Sequence, residues 1–62
     1  MEIITEIQFE QAVSQTRLGM KSIKAARAVL VNGLSLKGAA LKCGLTREEV
    51  RAYAAKIRRH LN

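Results

Sequence analysis

The stretch CGLTREEVRAYAAKIRRH, residues 43–60, contains one glycine between two segments that both favour helix. The segment TREE at 46–49 has the form of a capping box, which marks the start of a helix. Gly44 lies just before it, and glycine adopts a positive φ without the steric cost of a Cβ atom. The stretch therefore predicts two helices joined by a three-residue turn at Gly44, the pattern of a helix-turn-helix.

The predicted helix after Gly44 has an apolar face and a cationic face. On a wheel of about 100° per residue, the side chains expected to be buried are Val50, Tyr53, Ala54, Ile57 and Leu61. A recognition helix, predicted here at about 46–61, sets its first turns against base edges in the major groove of DNA. The candidates for base contacts are Thr46, Arg47, Glu48, Arg51, Ala52 and Ala55.

Other side chains are candidates for the phosphate backbone, where contacts set the register of a bound protein without reading sequence. Most of them are basic, and one is a hydroxyl at the start of the helix before Gly44. The candidates for phosphate contacts are Arg27, Ser35, Lys37, Lys42, Lys56, Arg58 and Arg59.

Several of these residues also have a purely structural explanation. Basic side chains on a solvated helix often only keep a protein soluble, although the Gly44 turn ahead of this helix favours DNA. Glu48 can accept a hydrogen bond from cytosine or simply favour the positive end of the helix dipole, and the second explanation is slightly stronger. Glu49 completes the capping box, and Cys43 is interpreted as a small core residue.

Three helices are predicted before the cationic one. A capping box at 5–8 starts a first helix over about 5–15. After Gly19, a second and central helix runs from Met20 or Ser22 to Asn32, and Ser35 caps a third from Leu36 to Lys42. The residues that share a stripe on the second helix are Met20, Ile23, Ala26, Arg27 and Leu30.

Length and composition favour one small helical domain spanning 1–62. A chain of 62 residues lies near the lower limit for a stable hydrophobic core, so a partner subunit would help. Apolar residues make up 48% of the chain but include only one Phe and one Tyr, so the core must be aliphatic. No segment alternates apolar and polar residues as a strand does. The predicted fold is all-α, a bundle of four or five helices containing the helix-turn-helix.

The charge is unevenly distributed along the chain. Residues 1–16 carry three glutamates and no basic residue, whereas residues 17–62 carry 11 basic and 2 acidic residues. Such an excess of positive charge in a small chain most often indicates a polyanionic partner. Nucleic acid is a more frequent partner of this kind than a membrane or an acidic protein.

The remaining composition argues against several classes of protein. One Cys and one His give no disulfide framework and no zinc site, so no metal, cofactor or small-molecule ligand is indicated. With no Asp as well, the chain offers no catalytic constellation, so an enzyme is not expected. The longest apolar run, 28–31, is too short to span a membrane. We expect a reduced, cytoplasmic protein.

The sequence resembles the TrfB/KorA family of plasmid transcriptional repressors. The resemblance runs from Ile4 to about Lys56, through ITEIQFEQAV, ARAVLVNG and CGLTREEV. It implies an all-helical DNA-binding domain that represses plasmid genes as a homodimer on a palindromic operator. It also implies that Thr46 and Arg47 contact the operator.

The chain departs from the family pattern at two positions and in length. Family members present a glutamine where this chain has Ala52 and a serine where it has Arg51, which implies a different operator. The longer members also have a C-terminal dimerisation region. The resemblance of this chain to the family does not include that region.

Two other functions are alternatives to DNA binding. An RNA-binding regulator is one, although single-stranded RNA recognition relies on exposed aromatic side chains and both aromatics here are expected to be buried. A small protein–protein adaptor is the other, with the apolar end at Ile3, Ile4 and Ile7 as its contact surface. Dimerisation is expected to use apolar residues of both ends, namely Ile3, Ile4, Ile57 and Leu61.

Overall fold

A computed structural model describes residues 3–61, which form four α-helices and no strand. Their bounds are α1 (Glu6–Val13), α2 (Met20–Leu30), α3 (Leu36–Cys43) and α4 (Arg47–Arg58). The predicted all-helical class is therefore confirmed. Of the four or five helices that were predicted, this part of the chain forms four.

The helices begin where the capping residues predict. The Gln8 N–H donates to the Thr5 hydroxyl oxygen at 3.1 Å, and the Thr5 N–H donates to the Gln8 side chain at 3.0 Å. Ser35 caps α3 by accepting from the Gly38 N–H at 3.0 Å. Because each cap satisfies backbone N–H groups that have no partner within the helix, the starts are set locally.

The ends of the helices differ from the predictions by one to three residues. Helix α2 ends at Leu30 rather than Asn32, because Val31 and Asn32 form a turn that leads into Gly33 with φ +74°. Helix α1 ends at Val13 rather than Gln15, and α4 ends at Arg58 rather than Leu61. In both cases the next two residues, 14–15 and 59–60, form a final turn, which a periodic sequence pattern does not distinguish from helix.

Helix α2 lies at the centre of the fold, as predicted, because its buried residues belong to two separate clusters. In the first, Ala26 and Leu30 pack with Phe9 and Ala12 of α1 and with Ala54 and Ile57 of α4. The second joins α2 to α3 and α4, and its buried members are Ala25, Ala28, Val29, Ala39, Ala40 and Val50. The many alanines allow the helices to approach closely, which suits a core with few large side chains.

Two predicted apolar positions were assigned wrongly. Met20 was placed on one stripe of α2 together with Ala26 and Leu30, but unlike them it is 80% exposed, because it precedes the part of the helix that α4 covers. Ile57 is fully buried against α1 and α2, as its place on the apolar face of α4 predicts, so only its second assignment, to a dimer surface, is wrong. Buried apolar area already used inside the monomer is not available to a partner.

The guanidinium of Arg27 on α2 forms ion pairs with two glutamates of α1. It lies 3.0 Å from a Glu6 carboxylate oxygen and 2.7 Å from one of Glu10, and it stacks over the Phe9 ring with 5.2 Å to the ring centroid. The groups are partly exposed, so each ion pair contributes at most about 1 kcal/mol. The Ile4 N–H also donates to the Leu30 carbonyl at 2.8 Å, which ties the start of the chain to α2.

The connection between α3 and α4 is three residues long and turns at Gly44. Gly44 has φ +69° and ψ 34°, and its N–H donates to the Ala40 carbonyl. The Leu45 N–H donates to the same carbonyl at 2.9 Å. Backbone with positive φ costs about 1–2 kcal/mol for residues with a Cβ atom, so this sharp change of direction depends on glycine.

We expect Gly44→Ala to lower the free energy of unfolding by about 1–2 kcal/mol and Tm by roughly 4–8 °C for each kcal/mol. A Cβ atom at this position would meet only the Lys21 ammonium at 3.9 Å, so the cost is conformational and not steric. Gly44→Asn is the matched control, because asparagine tolerates the left-handed region better than alanine. Thermal unfolding of both variants should show the smaller loss for asparagine; equal losses would contradict this explanation.

Candidate nucleic-acid interface

Helix α4 buries one face and leaves the other open. Val50, Ala54 and Ile57 are buried in the two core clusters, whereas Tyr53 and Leu61, which were also predicted to be buried, are only partly buried against the first cluster. The predicted base-contacting residues are all exposed, as are Lys56, Arg58 and Arg59. The division of α4 into an apolar and a cationic face is thus confirmed, although contact of these residues with DNA stays a prediction.

The N-terminal end of α3 lies beside the first turns of α4. Ser35, Lys37, Arg47, Glu48 and Arg51 line one shallow surface groove between the two helices. A second groove next to it brings Lys37 and Arg47 together with Leu41, which is 76% exposed. Predicted phosphate-contacting and base-contacting residues therefore share one continuous surface, which we call the α3–α4 face.

The cations of the α3–α4 face have no acidic partner among residues 3–61. The ion pairs in this part of the chain involve only Arg27. The Glu49 carboxylate accepts the Thr46 N–H at 2.9 Å and thereby closes the predicted capping box. Glu48 is exposed and accepts no hydrogen bond there, so both explanations for it still stand. The unneutralised arginines and Lys37 give this face a positive potential that attracts polyanions.

Thr46 caps the start of α4 in a way that leaves its hydroxyl proton free to donate a hydrogen bond. The hydroxyl oxygen accepts the Glu49 N–H at 3.1 Å, which uses a lone pair and not the hydroxyl proton. The side chain is exposed at the start of α4, so the proton is available to an acceptor outside the protein. One side chain can thus cap the helix and donate to a phosphate or a base.

Two predicted phosphate-contacting residues lie away from this face. Lys42 and Arg27 line a separate groove between α2 and the end of α3, together with Lys21 and Lys24. Arg27 is moreover paired with Glu6 and Glu10. Lys21 and Lys24 were not predicted to have a role, although their spacing of three residues along the exposed side of α2 is a visible signal for a second cationic surface.

Two absences hold within the part of the chain that the structure describes. No helix there is long and apolar enough to cross a membrane. No three His, Cys, Asp or Glu residues there lie close enough to hold a metal ion.

A small helical domain with an unpaired cationic face on an exposed helix is the arrangement expected of a nucleic-acid-binding domain. The chain matches the model of the KorA family, described as TrfB plasmid transcriptional repressor, over residues 4–60. Since the match covers nearly the whole chain, the protein belongs to this family of DNA-binding plasmid repressors, and the resemblance seen in the sequence is confirmed. It is a family of transcriptional regulators, not of enzymes. Comparison with individual curated proteins gives no match.

The two roles of Thr46 can be separated by substitution. Thr46→Val removes the capping oxygen and should lower the free energy of unfolding by about 1 kcal/mol. Thr46→Asp keeps a good capping acceptor, so it should unfold at nearly the wild-type denaturant concentration. It nevertheless places a negative charge on the α3–α4 face, so its affinity for duplex DNA should fall further than that of Thr46→Val. Equal DNA affinities for the two variants would remove Thr46 from the interface.

Proposed function

We propose that the protein is a sequence-specific repressor that binds double-stranded DNA in the cytoplasm and regulates plasmid or mobile-element genes, including its own. In this proposal α3 and α4 form a helix-turn-helix and α4 is the recognition helix. The observation that supports it best is the row of cations on the exposed side of α4, directly after the left-handed turn at Gly44, which form no ion pair with residues 3–61. Family membership supports the same conclusion independently.

Base reading is assigned to the first turns of α4. Arg47 donates in bidentate fashion to the O6 and N7 atoms of a guanine, a contact worth about 1–3 kcal/mol of discrimination. Arg51 lies one turn further along on the same side and supplies a second readout. Ala52 and Ala55 are small exposed apolar residues, which suit contact with thymine methyl groups. Thr46 and Glu48 complete the proposed base-contacting set.

Phosphate contacts flank this set on both sides. Ser35 and Lys37 at the start of α3 anchor one strand, and Lys56, Arg58 and Arg59 at the end of α4 anchor the backbone beyond the bases. Lys37 and Arg47 line the same groove, so the anchoring and reading side chains can approach one duplex together. Lys42 lines the groove between α2 and the end of α3, and Arg27 is paired with Glu6 and Glu10. The proposed interface therefore does not include these two residues.

Repression follows from occupancy of the promoter. Two copies place their α4 helices in successive major grooves ~34 Å apart on a palindromic operator, and the bound pair blocks RNA polymerase. With Ile57 buried, Ile3 and Ile7, 63% and 70% exposed, are the large apolar side chains at the N-terminal end that can contribute to pairing.

The alternative functions have less support. Phe9 is fully buried, and Tyr53 packs against the first core cluster, so neither offers an open stacking surface for single-stranded RNA. Exposed Ile3 and Ile7 keep an adaptor role possible at the N-terminal end, but that surface lies outside the cationic face.

The test of base reading is Arg47→Ala. The preferred site is first selected from randomised duplex DNA, and affinities for that site and for unrelated duplex are then compared. The difference in binding free energy between the selected site and unrelated duplex should be about 1–3 kcal/mol smaller for Arg47→Ala than for the wild type, because only the selected site offers the guanine contact. Arg58→Ala, a proposed phosphate contact, should weaken both affinities equally. An equal loss for Arg47→Ala on both duplexes would contradict base reading.

The test of phosphate anchoring is the salt dependence of binding. Lys37→Ala should reduce the slope of log K against log salt concentration by roughly one unit, because one counterion fewer is released. Lys24→Ala removes the same charge from the groove on α2 and should leave the slope unchanged. If both variants reduce the slope alike, the anchoring surface is wider than the α3–α4 face.

A further inference from the structure

A second cationic surface lies between α2 and the C-terminal end of α3. It is an open groove of about 600 Å³, and the residues that matter most here are Met20, Lys21, Lys24, Ala28, Lys42 and Cys43. No residue of the α3–α4 face lines it. We call it the α2 groove.

The α2 groove lies on the side of α2 that faces away from α4. Ala26 and Leu30 of α2 pack on Ala54 and Ile57 of α4. Lys24 lies roughly 160° around the helix from Ala26, since an α-helix turns about 100° per residue. A duplex bound to the outer face of α4 would therefore leave Lys24 directed away from it.

The charge of the groove is not balanced within residues 3–61. Lys21, Lys24 and Lys42 form no ion pair there, whereas Arg27 at the edge is held by Glu6 and Glu10. The C-terminal end of α3 provides some compensation, because the Lys21 ammonium lies close to Gly44 at that end. A helix end carries only about half a negative charge, so roughly two and a half of the three positive charges remain uncompensated.

Part of the groove lining is apolar. Ala28, which is buried, and Cys43, which is partly buried, line the groove together with Met20, whose side chain is mostly in solvent. Methionine adapts to irregular partners and is common at protein-binding surfaces. A DNA backbone offers phosphates and small sugars but no apolar side chain to cover Met20, whereas an acidic peptide with an apolar side chain satisfies both the lysines and the methionine.

We propose that the α2 groove docks an acidic segment of a partner protein. Carboxylates of the segment pair with Lys21, Lys24 and Lys42, and an apolar side chain of the segment packs against Met20 and Ala28. Because the groove faces away from α4, a DNA-bound molecule can hold this partner at the same time.

The test uses a fluorescein-labelled peptide that alternates Glu-Glu with Leu, and a control peptide with Ser in place of Leu. The wild-type protein should bind the first peptide more tightly than the second. Lys24→Glu should weaken binding of the first about fivefold to tenfold and leave duplex DNA binding nearly unchanged. Lys37→Glu is the same charge reversal on the α3–α4 face. It should weaken duplex DNA binding and leave peptide binding nearly unchanged.

Two further measurements locate the contact. Met20→Ser should reduce affinity for the leucine peptide and not for the serine peptide. In protein with labelled methionine methyl groups, the Met20 resonance should shift when the leucine peptide is added.

Three results would overturn the proposal. Equal affinity for the two peptides would remove the apolar contact. Equal weakening of peptide binding by Lys24→Glu and Lys37→Glu would show diffuse attraction to net positive charge. A loss of DNA affinity in Lys24→Glu as large as in Lys37→Glu would make the groove part of the DNA contact surface. None of these results depends on which base sequence the protein prefers.

Discussion

The cationic surface of this protein depends on the left-handed backbone at Gly44. Both Gly44 and Leu45 donate to the Ala40 carbonyl, so the chain leaves α3 and reverses within three residues. The capping box at Thr46 then starts α4 immediately, which fixes where the first turn of α4 lies relative to the end of α3. Since Val50 is buried against α2 and α3, the rotation of α4 about its axis is fixed as well, and Arg47 and Arg51 face outward.

Helix α2 provides the support for this arrangement and also separates two cationic surfaces. One of its sides packs on α3 and α4, and the other carries lysines into solvent. A domain of this size cannot bury a wide layer of side chains, so residues on opposite sides of one helix are close to opposite surfaces of the molecule. A basic chain folded in this way presents its charge on more than one face, and the faces can serve different partners.

Much of the fold could be predicted because the signals are local. The caps at Thr5, Ser35 and Thr46 involve residues three positions apart, and the glycine turn involves a single φ value. The exposed face of α4 follows from helical periodicity alone. The exposure of Met20 was not predicted, because burial depends on which neighbouring helix covers a residue, and a single helical wheel contains no information about neighbours.

The basic residues show the same limit for the functional site. Arg27, Lys37 and Lys42 are equivalent in the sequence, since each is a cation on a helix near the predicted interface. In the structure Arg27 meets two carboxylates of α1, Lys37 joins Arg47 beside α4, and Lys42 joins the lysines of α2. What distinguishes them is the position of α1 and α2 relative to α3, which is set by buried contacts between distant residues. The charge of a side chain indicates which partners it can attract, but its packing neighbours determine which surface it belongs to.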